Sequence, residues 1–232
     1  MIPPEANAEF VCQREETLNV YQRPPDPDRP LVCLDEASKP RVDQVTVPME
    51  ATPEPPTRIV DYEYTRHGTA HIFLRSAPLE GRREALVTDQ RTTLDYAHTI
   101  RHLVDVMDPN AEKIVLVQDN LKTHKPAALY AAFPPEEARR LIDKLEIHDT
   151  PKHGSWLRLL NERGAEIELG VLGRQCRDRR IPDREQLPHE VAAWQRRRNE
   201  SPAKVDWQFT TADARVKLKR LYPITEPNKP TP

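Results

Sequence analysis

The stretch IVLVQDNLKTH, residues 114–124, decides how the rest of the chain is read. Four apolar residues run into Gln118, Asp119 and Asn120, and His124 follows five residues after the aspartate. The pattern has two readings: a strand, a turn and a helix cap, or a carboxylate presented at the tip of a central strand to hold a metal ion. Residues 31–38, LVCLDEAS, repeat the device, because the apolar run from Leu31 to Leu34 closes on Asp35 and Glu36.

The chain around these strands has 232 residues, enough for one good-sized domain with tails or two small ones. Hydrophobic residues make up 37% and charged residues 31%, so the core has a highly charged surface. The net charge of −2 excludes a bulk polycation, and a nucleic-acid partner would need local basic patches. No run approaches the roughly 20 apolar residues of a membrane span, and no signal-peptide pattern opens the chain. Cys12, Cys33 and Cys176 have no metal-knuckle spacing, and reduced thiols in a cytoplasmic protein are expected.

Working outward, residues 1–30 are polar and end in RPPDPDRP, which reads as an arm or linker. Residues 39–57 carry five prolines and read as an irregular excursion. Residues 61–64, AHIFLRS at 70–76 and EALVTDQ at 84–90 have strand composition, the last two joined as a hairpin through APLEGR. Thr92 or Thr93 caps a helix reaching Met107, with Tyr96, Ile100, Leu103 and Val104 on one face. After the strand at 114–119, helices are expected at 126–133 and 136–145, and LEIH as a short strand. Helical period returns from Ala165, with Leu169, Leu172 and Cys176 on its face. Another helix carries Val191 and Trp194, and Thr211 caps a short basic one. Three strands, then helix and strand in alternation, predict an α/β fold: a ribonuclease H-like mixed sheet flanked by helices.

Several stretches together resemble one family: CLDEASK (33–39), DYEYTRHGTAHIF (61–73), KIVLVQDNLKTHKPAALYAAFPPEEARRL (113–141), TPKHGSWL (150–157), AEIELGVLGRQCRDRRIPD (165–183) and WQFTTADARVKLKRLYP (207–223). They resemble bacterial transposases of the mariner superfamily, the insertion-sequence "630" type, over residues 2–223. The resemblance implies a ribonuclease H-like endonuclease domain with an Asp, Asp, Glu triad that uses magnesium, with manganese as a substitute, to cut and join DNA. Carried over, the triad is Asp35, Asp119 and Glu166.

The chemistry explains the residue types. Cleavage and strand transfer at a phosphodiester both need an oxygen nucleophile and a stabilised leaving oxyanion, which two divalent ions roughly 4 Å apart supply. Magnesium takes oxygen ligands, so carboxylates from distant points of the chain suffice. In the family the third acid follows the PKHGSWLN loop directly. Here Arg158 stands at the asparagine position, and residues 158–164 amount to an insertion of about five residues before Glu166. Glu166 shares a helical stripe with Gly170 and Gly173 at about 100° per residue, and Glu168 is the alternative third acid.

The resemblance also places His124 beside the second aspartate, where it could orient a phosphate or a water. Lys152 and His153 could touch DNA phosphate, while Trp156 reads as a loop anchor. Three basic runs read as backbone contacts that salt weakens: Arg174, Arg177 and Arg180; Arg196, Arg197 and Arg198; Lys217, Lys219 and Arg220.

The expected organisation is an arm at 1–30, a catalytic domain at 31–182, a basic helical extension at 183–223 and a disordered tail at 224–232. The expected partners are element terminal repeats and target DNA, with a homodimer on DNA and a separately encoded helix-turn-helix half, in a bacterial cytoplasm where DNA draws the protein to the nucleoid. The alternative reading is an inactive or truncated remnant that keeps the fold and binds DNA non-specifically. A ribonuclease H-like nuclease acting on another nucleic acid is a third.

Overall fold

The computed structural model describes residues 8–44, 64–151, 164–176 and 185–223. In chain order these form α1 (Ala8–Tyr21), β1 (Leu31–Gln44), β2 (Tyr64–Ala77), β3 (Arg82–Thr88), α2 (Thr93–His102), β4 (Ile114–Asp119), α3 (Ala127–Ala132), α4 (Pro135–Asp143), β5 (Leu145–Thr150), α5 (Gly164–Cys176), α6 (Gln186–Glu200) and α7 (Thr211–Lys217). The five strands make one mixed sheet in the order β3-β2-β1-β4-β5. β1 is antiparallel to β2 and parallel to β4, and β4 is parallel to β5. This is the mixed, helix-flanked sheet that the element order predicts.

Strand pleating sends alternate residues to opposite faces, and each face has its own core. On one face Val32, Leu34, Phe73, Ile114 and Leu116 pack with Tyr96, Ile100 and Leu103 of the helix after β3, and with Leu129 and Leu141 of α3 and α4. On the other, Ile72 and Leu74 pack with Leu169 and Leu172 of α5 and with Val191 and Trp194 of α6. Beside them Leu31, Cys33, Val115 and Val117 pack with Val20 and Tyr21 of α1. α2 begins with a capping box in which the Thr92 side chain accepts from Asp95 N–H and the Asp95 carboxylate accepts from the Thr92 backbone. It closes in a π-helical turn, Leu103–Met107, that ends with Asp108 N–H donating to the Leu103 carbonyl.

Three local expectations change. Part of the segment read as an arm is α1, a helix docked on the sheet. Its apolar residues are too irregularly spaced for helical period to stand out, and buried Arg14 and Thr17 take core positions beside Phe10 and Leu18. Lys39 begins no irregular excursion, since β1 continues to Gln44 against β2 and absorbs Pro40 through a bulge between Pro40 and Val42. The final helix is capped by Thr210, whose side chain accepts from Asp213 N–H, not by Thr211.

Charged pairs pin the periphery. Glu168 of α5 is buried and is held by Arg83 of β3, with Nε at 3.0 Å from Oε2, and by Arg198 of α6, with Nη2 at 2.9 Å from Oε1. The proline-rich run after α1 is anchored by Arg23 and Arg29, which both reach Glu146 of β5. Burial pushes the Glu146 carboxyl up, but hydrogen bonds from Arg23, His148 and Arg29, with the Arg23 charge, outweigh it and hold it at about 2. The hairpin between β2 and β3 turns at Gly81, with φ of 73°.

Replacing Gly81 is therefore costly twice over, because a Cβ would sit 2.9 Å from Pro202 Cβ and the φ is left-handed. Gly81→Ala should lose about 1–3 kcal/mol of stability, read as a lower Tm. Glu168→Gln strips the counter-charge from two guanidinium groups, and a loss of about 3–5 kcal/mol is expected in denaturant unfolding. A depressed carboxyl stabilises above its unfolded value and ceases to do so as pH falls through its folded value. Glu146→Gln should thus cost about 1–2 kcal/mol at neutral pH. The gap to wild type should narrow as pH drops from 4.5 to about 2. A pH-independent gap would contradict the role given to Glu146.

Candidate active site

The site is built at the carboxyl ends of the parallel strands. β1 and β4 run in register from Leu31 opposite Val115 to Leu34 opposite Gln118. One step further, Asp35 and Asp119 stand on neighbouring strands, about 4.8 Å apart at the backbone. Both have the parity of Cys33 and Val117, so both belong to the face on which α1, α5 and α6 pack. The apolar residues before each aspartate bury the strand, and the acids come where burial eases: Leu34 is 2% exposed, whereas Asp35 and Asp119 are half-buried.

Hydrogen bonds orient both carboxylates. Asp35 Oδ1 accepts from the Glu36 backbone N–H at 2.8 Å. Asp119 Oδ1 accepts from Thr150 Oγ1 at 3.1 Å, Thr150 being its register partner on β5.

On the opposite face lies a polar layer under the aspartates. His124 is fully buried, with Nε2 2.7 Å from Glu36 Oε1 and Nδ1 3.2 Å from the Asp119 carbonyl. Its ring stacks on Tyr96 with centroids 4.6 Å apart. Tyr96 donates its hydroxyl to Gln118 Oε1 at 2.8 Å, and Gln118 Nε2 donates to the His124 carbonyl and to Asp149 Oδ1. Burial pushes the Tyr96 hydroxyl well above the usual phenol range, so it remains a donor. Lys125 closes the layer, donating to Asn120 Oδ1 at 2.9 Å and Asp149 Oδ2 at 2.6 Å.

The other expected site residues divide three ways. Glu166 lies on the backbone of α5, which packs against β1 and β2 on the aspartates' face, but its side chain falls outside the described residues. So do Lys152, His153, Trp156, the inserted residues 158–163, Arg177 and Arg180. Gly170, on the Glu166 stripe, has room beside it: an added Cβ would meet Arg174 Nη1 in ordinary contact at 3.7 Å. The alternative acid, Glu168, is committed to Arg83 and Arg198 and cannot serve as a site ligand. His124 is corrected as a DNA contact, because a fully buried ring held between two protein oxygens has no route to a phosphate. Arg198 is likewise taken out of the basic runs by Glu168. Arg174, Arg196, Arg197, Lys217, Lys219 and Arg220 are exposed, with Lys217 Nζ resting 5.0 Å over the Phe209 ring.

The donors fit a hard divalent cation in type: two carboxylates at adjacent strand ends, each oriented by a neutral donor. Among the described residues no three His, Cys, Asp or Glu side chains gather as a metal-holding group. α5, the element that carries Glu166, packs against β1 on that face. Thr150, Tyr96, Gln118 and Asp149 escape sequence reading because their roles depend on which strands pair. The Asp35-Glu36 doublet held the one signal, since strand alternation puts the second acid on the opposite face.

The Mos1 transposase paired-end complex with left transposon end matches this fold with a TM-score of 0.54 at 15% identity, over 95% of this chain and 64% of that one. The Mos1 mariner paired-end complex with Mn matches at 14% identity over 95% and 62%, with a TM-score of 0.46. The chain thus spans just under two thirds of those transposase chains, and the likeness is one of fold: a ribonuclease H-like mixed sheet between helices. Comparison by sequence with the curated proteins finds no match. The family model for the DDE superfamily endonuclease matches residues 30–188, which contain every strand and both strand-end aspartates. With well over half of its length inside that match, the chain belongs to the DDE superfamily of endonucleases.

Proposed function

We propose that the chain is the catalytic domain of a DDE transposase, cleaving DNA at the ends of an insertion element and joining the freed end to a target. The observation that carries this reading is Asp35 beside Asp119 on one face of the sheet, in a chain matched by the DDE endonuclease model across that region. Asp35, Asp119 and Glu166 would hold magnesium, or manganese in its place. Bound there, a pair of such ions would supply an activated oxygen nucleophile and stabilise the leaving oxyanion.

The chain's own residues do the rest. Thr150 and the Glu36 N–H fix the two carboxylates before any ion arrives. The buried β-sheet holds them where about 1 Å of error would cost on the order of a hundredfold in rate. Exposed Arg174, Arg196, Arg197, Lys217, Lys219 and Arg220, with Lys152, His153, Arg177 and Arg180 from segments outside the described residues, would grip DNA phosphates without reading sequence. Recognition of terminal repeats would then come from a helix-turn-helix half, with a homodimer assembling on DNA in the bacterial cytoplasm.

The test is metal-dependent nicking of supercoiled DNA, run with and without a separate DNA-reading half. Magnesium or manganese should raise Tm by relieving repulsion between the carboxylates, and Asp119→Asn should lose most of that rise. Asp35→Asn, Asp119→Asn and Glu166→Gln should each abolish nicking. Equal metal responses in wild type and Asp119→Asn would reject the site. A metal-binding wild type that never nicks, even with the DNA-reading half, would establish the folded remnant instead.

A further inference from the structure

We propose that His124 and Glu36 form a positioning clasp that fixes the ends of β1 and β4 relative to each other, and with them Asp35 and Asp119; the inference rests on the reading of those aspartates as metal ligands. The ladder between β1 and β4 ends at Leu34 opposite Gln118, one residue short of both aspartates. Where it ends, the imidazole takes over. Nε2 holds the carboxylate of Glu36 on β1 at 2.7 Å, and Nδ1 holds the carbonyl of Asp119 on β4 at 3.2 Å. A carbonyl only accepts, so Nδ1 carries its hydrogen and the ring cannot tip without breaking one tie. Its position is fixed further by the Tyr96 stack and by Gln118, which donates to the His124 carbonyl at 2.9 Å.

The clasp also answers why Glu36, an acid next to Asp35, is not itself at the site. Its side chain is 5% exposed, points to the opposite face and is occupied by His124, with Arg91 Nη1 3.8 Å from its other oxygen. Replacing both members of such a buried polar pair by apolar side chains of similar volume often costs little stability. What an apolar ring cannot do is tie two strand ends by their polar atoms. Groups that orient metal-holding residues in this way commonly change metal affinity or activity by about 10–100-fold when removed.

His124→Phe separates the two roles, because the phenyl ring keeps the volume and the stack on Tyr96 but loses both ties. Without metal its Tm should fall, because Glu36 stays buried with its imidazole partner gone, so binding is measured well below that Tm. Its manganese affinity, measured by titration calorimetry on the full chain, should fall about 10–100-fold. Glu36→Leu should fall similarly, and decides the matter if His124→Phe is not recovered folded. Glu36→Gln, whose amide can still hydrogen-bond Nε2, should lose less than either. Wild-type manganese affinity in the clasp variants, with Asp119→Asn impaired, would overturn the clasp and leave the metal site standing. Wild-type affinity in Asp119→Asn as well would overturn both.

Discussion

Four consecutive parallel pairings between β1 and β4 bring together parts of the chain that are 88 positions apart at Glu36 and His124. That register is set by the apolar runs on both strands, whose alternate residues fill separate cores on the two faces. A slip of one residue would send Leu116 out of its core and turn Asp119 toward Tyr96. The cost of such a slip is spread over the whole hydrophobic interior, so the aspartates are aligned by residues that never touch them. β5 extends the same logic, since its pairing with β4 delivers Thr150 to Asp119 on one face and Asp149 to Gln118 on the other.

Much of the fold is legible in the sequence. The runs ending in Asp35 and Asp119 identify themselves by composition, and Thr92 and Gly81 announce a cap and a turn. What is hidden has a common cause. α1 carries buried Arg14 and Thr17, so its period is masked. His124 reads as a loop residue free to meet a phosphate, because nothing local reveals that Tyr96 and Glu36 enclose it. Thr150 is one threonine among many until the register with Asp119 is drawn. Local preference shows in a window of residues, and partnership across a sheet does not.

Charge is the least transparent feature. Arginine runs read naturally as surfaces for a polyanion, yet Arg83 and Arg198 close on Glu168, and Arg23 and Arg29 close on Glu146. The near-neutral chain therefore satisfies part of its cationic charge internally, between elements distant in sequence. The arginines and lysines left exposed, Lys217 and Lys219 among them, carry the attraction to phosphate that the described surface offers.

The separation of the two faces has an evolutionary consequence. Along β1 and β4, the residues of one parity end in the carboxylates, while those of the other hold Tyr96, His124 and the principal core. Only at the strand ends do chemistry and packing part: Asp35 and Asp119 lie beyond the cores, whereas Cys33 and Val117 of the same parity pack against α1. A chain no longer held to its chemistry can lose Asp35 or Asp119 by a single base change without disturbing the opposite face, and its product would still fold. For sheets of this architecture, an intact fold testifies to the cores on both faces, and only the two strand-end acids testify to the chemistry.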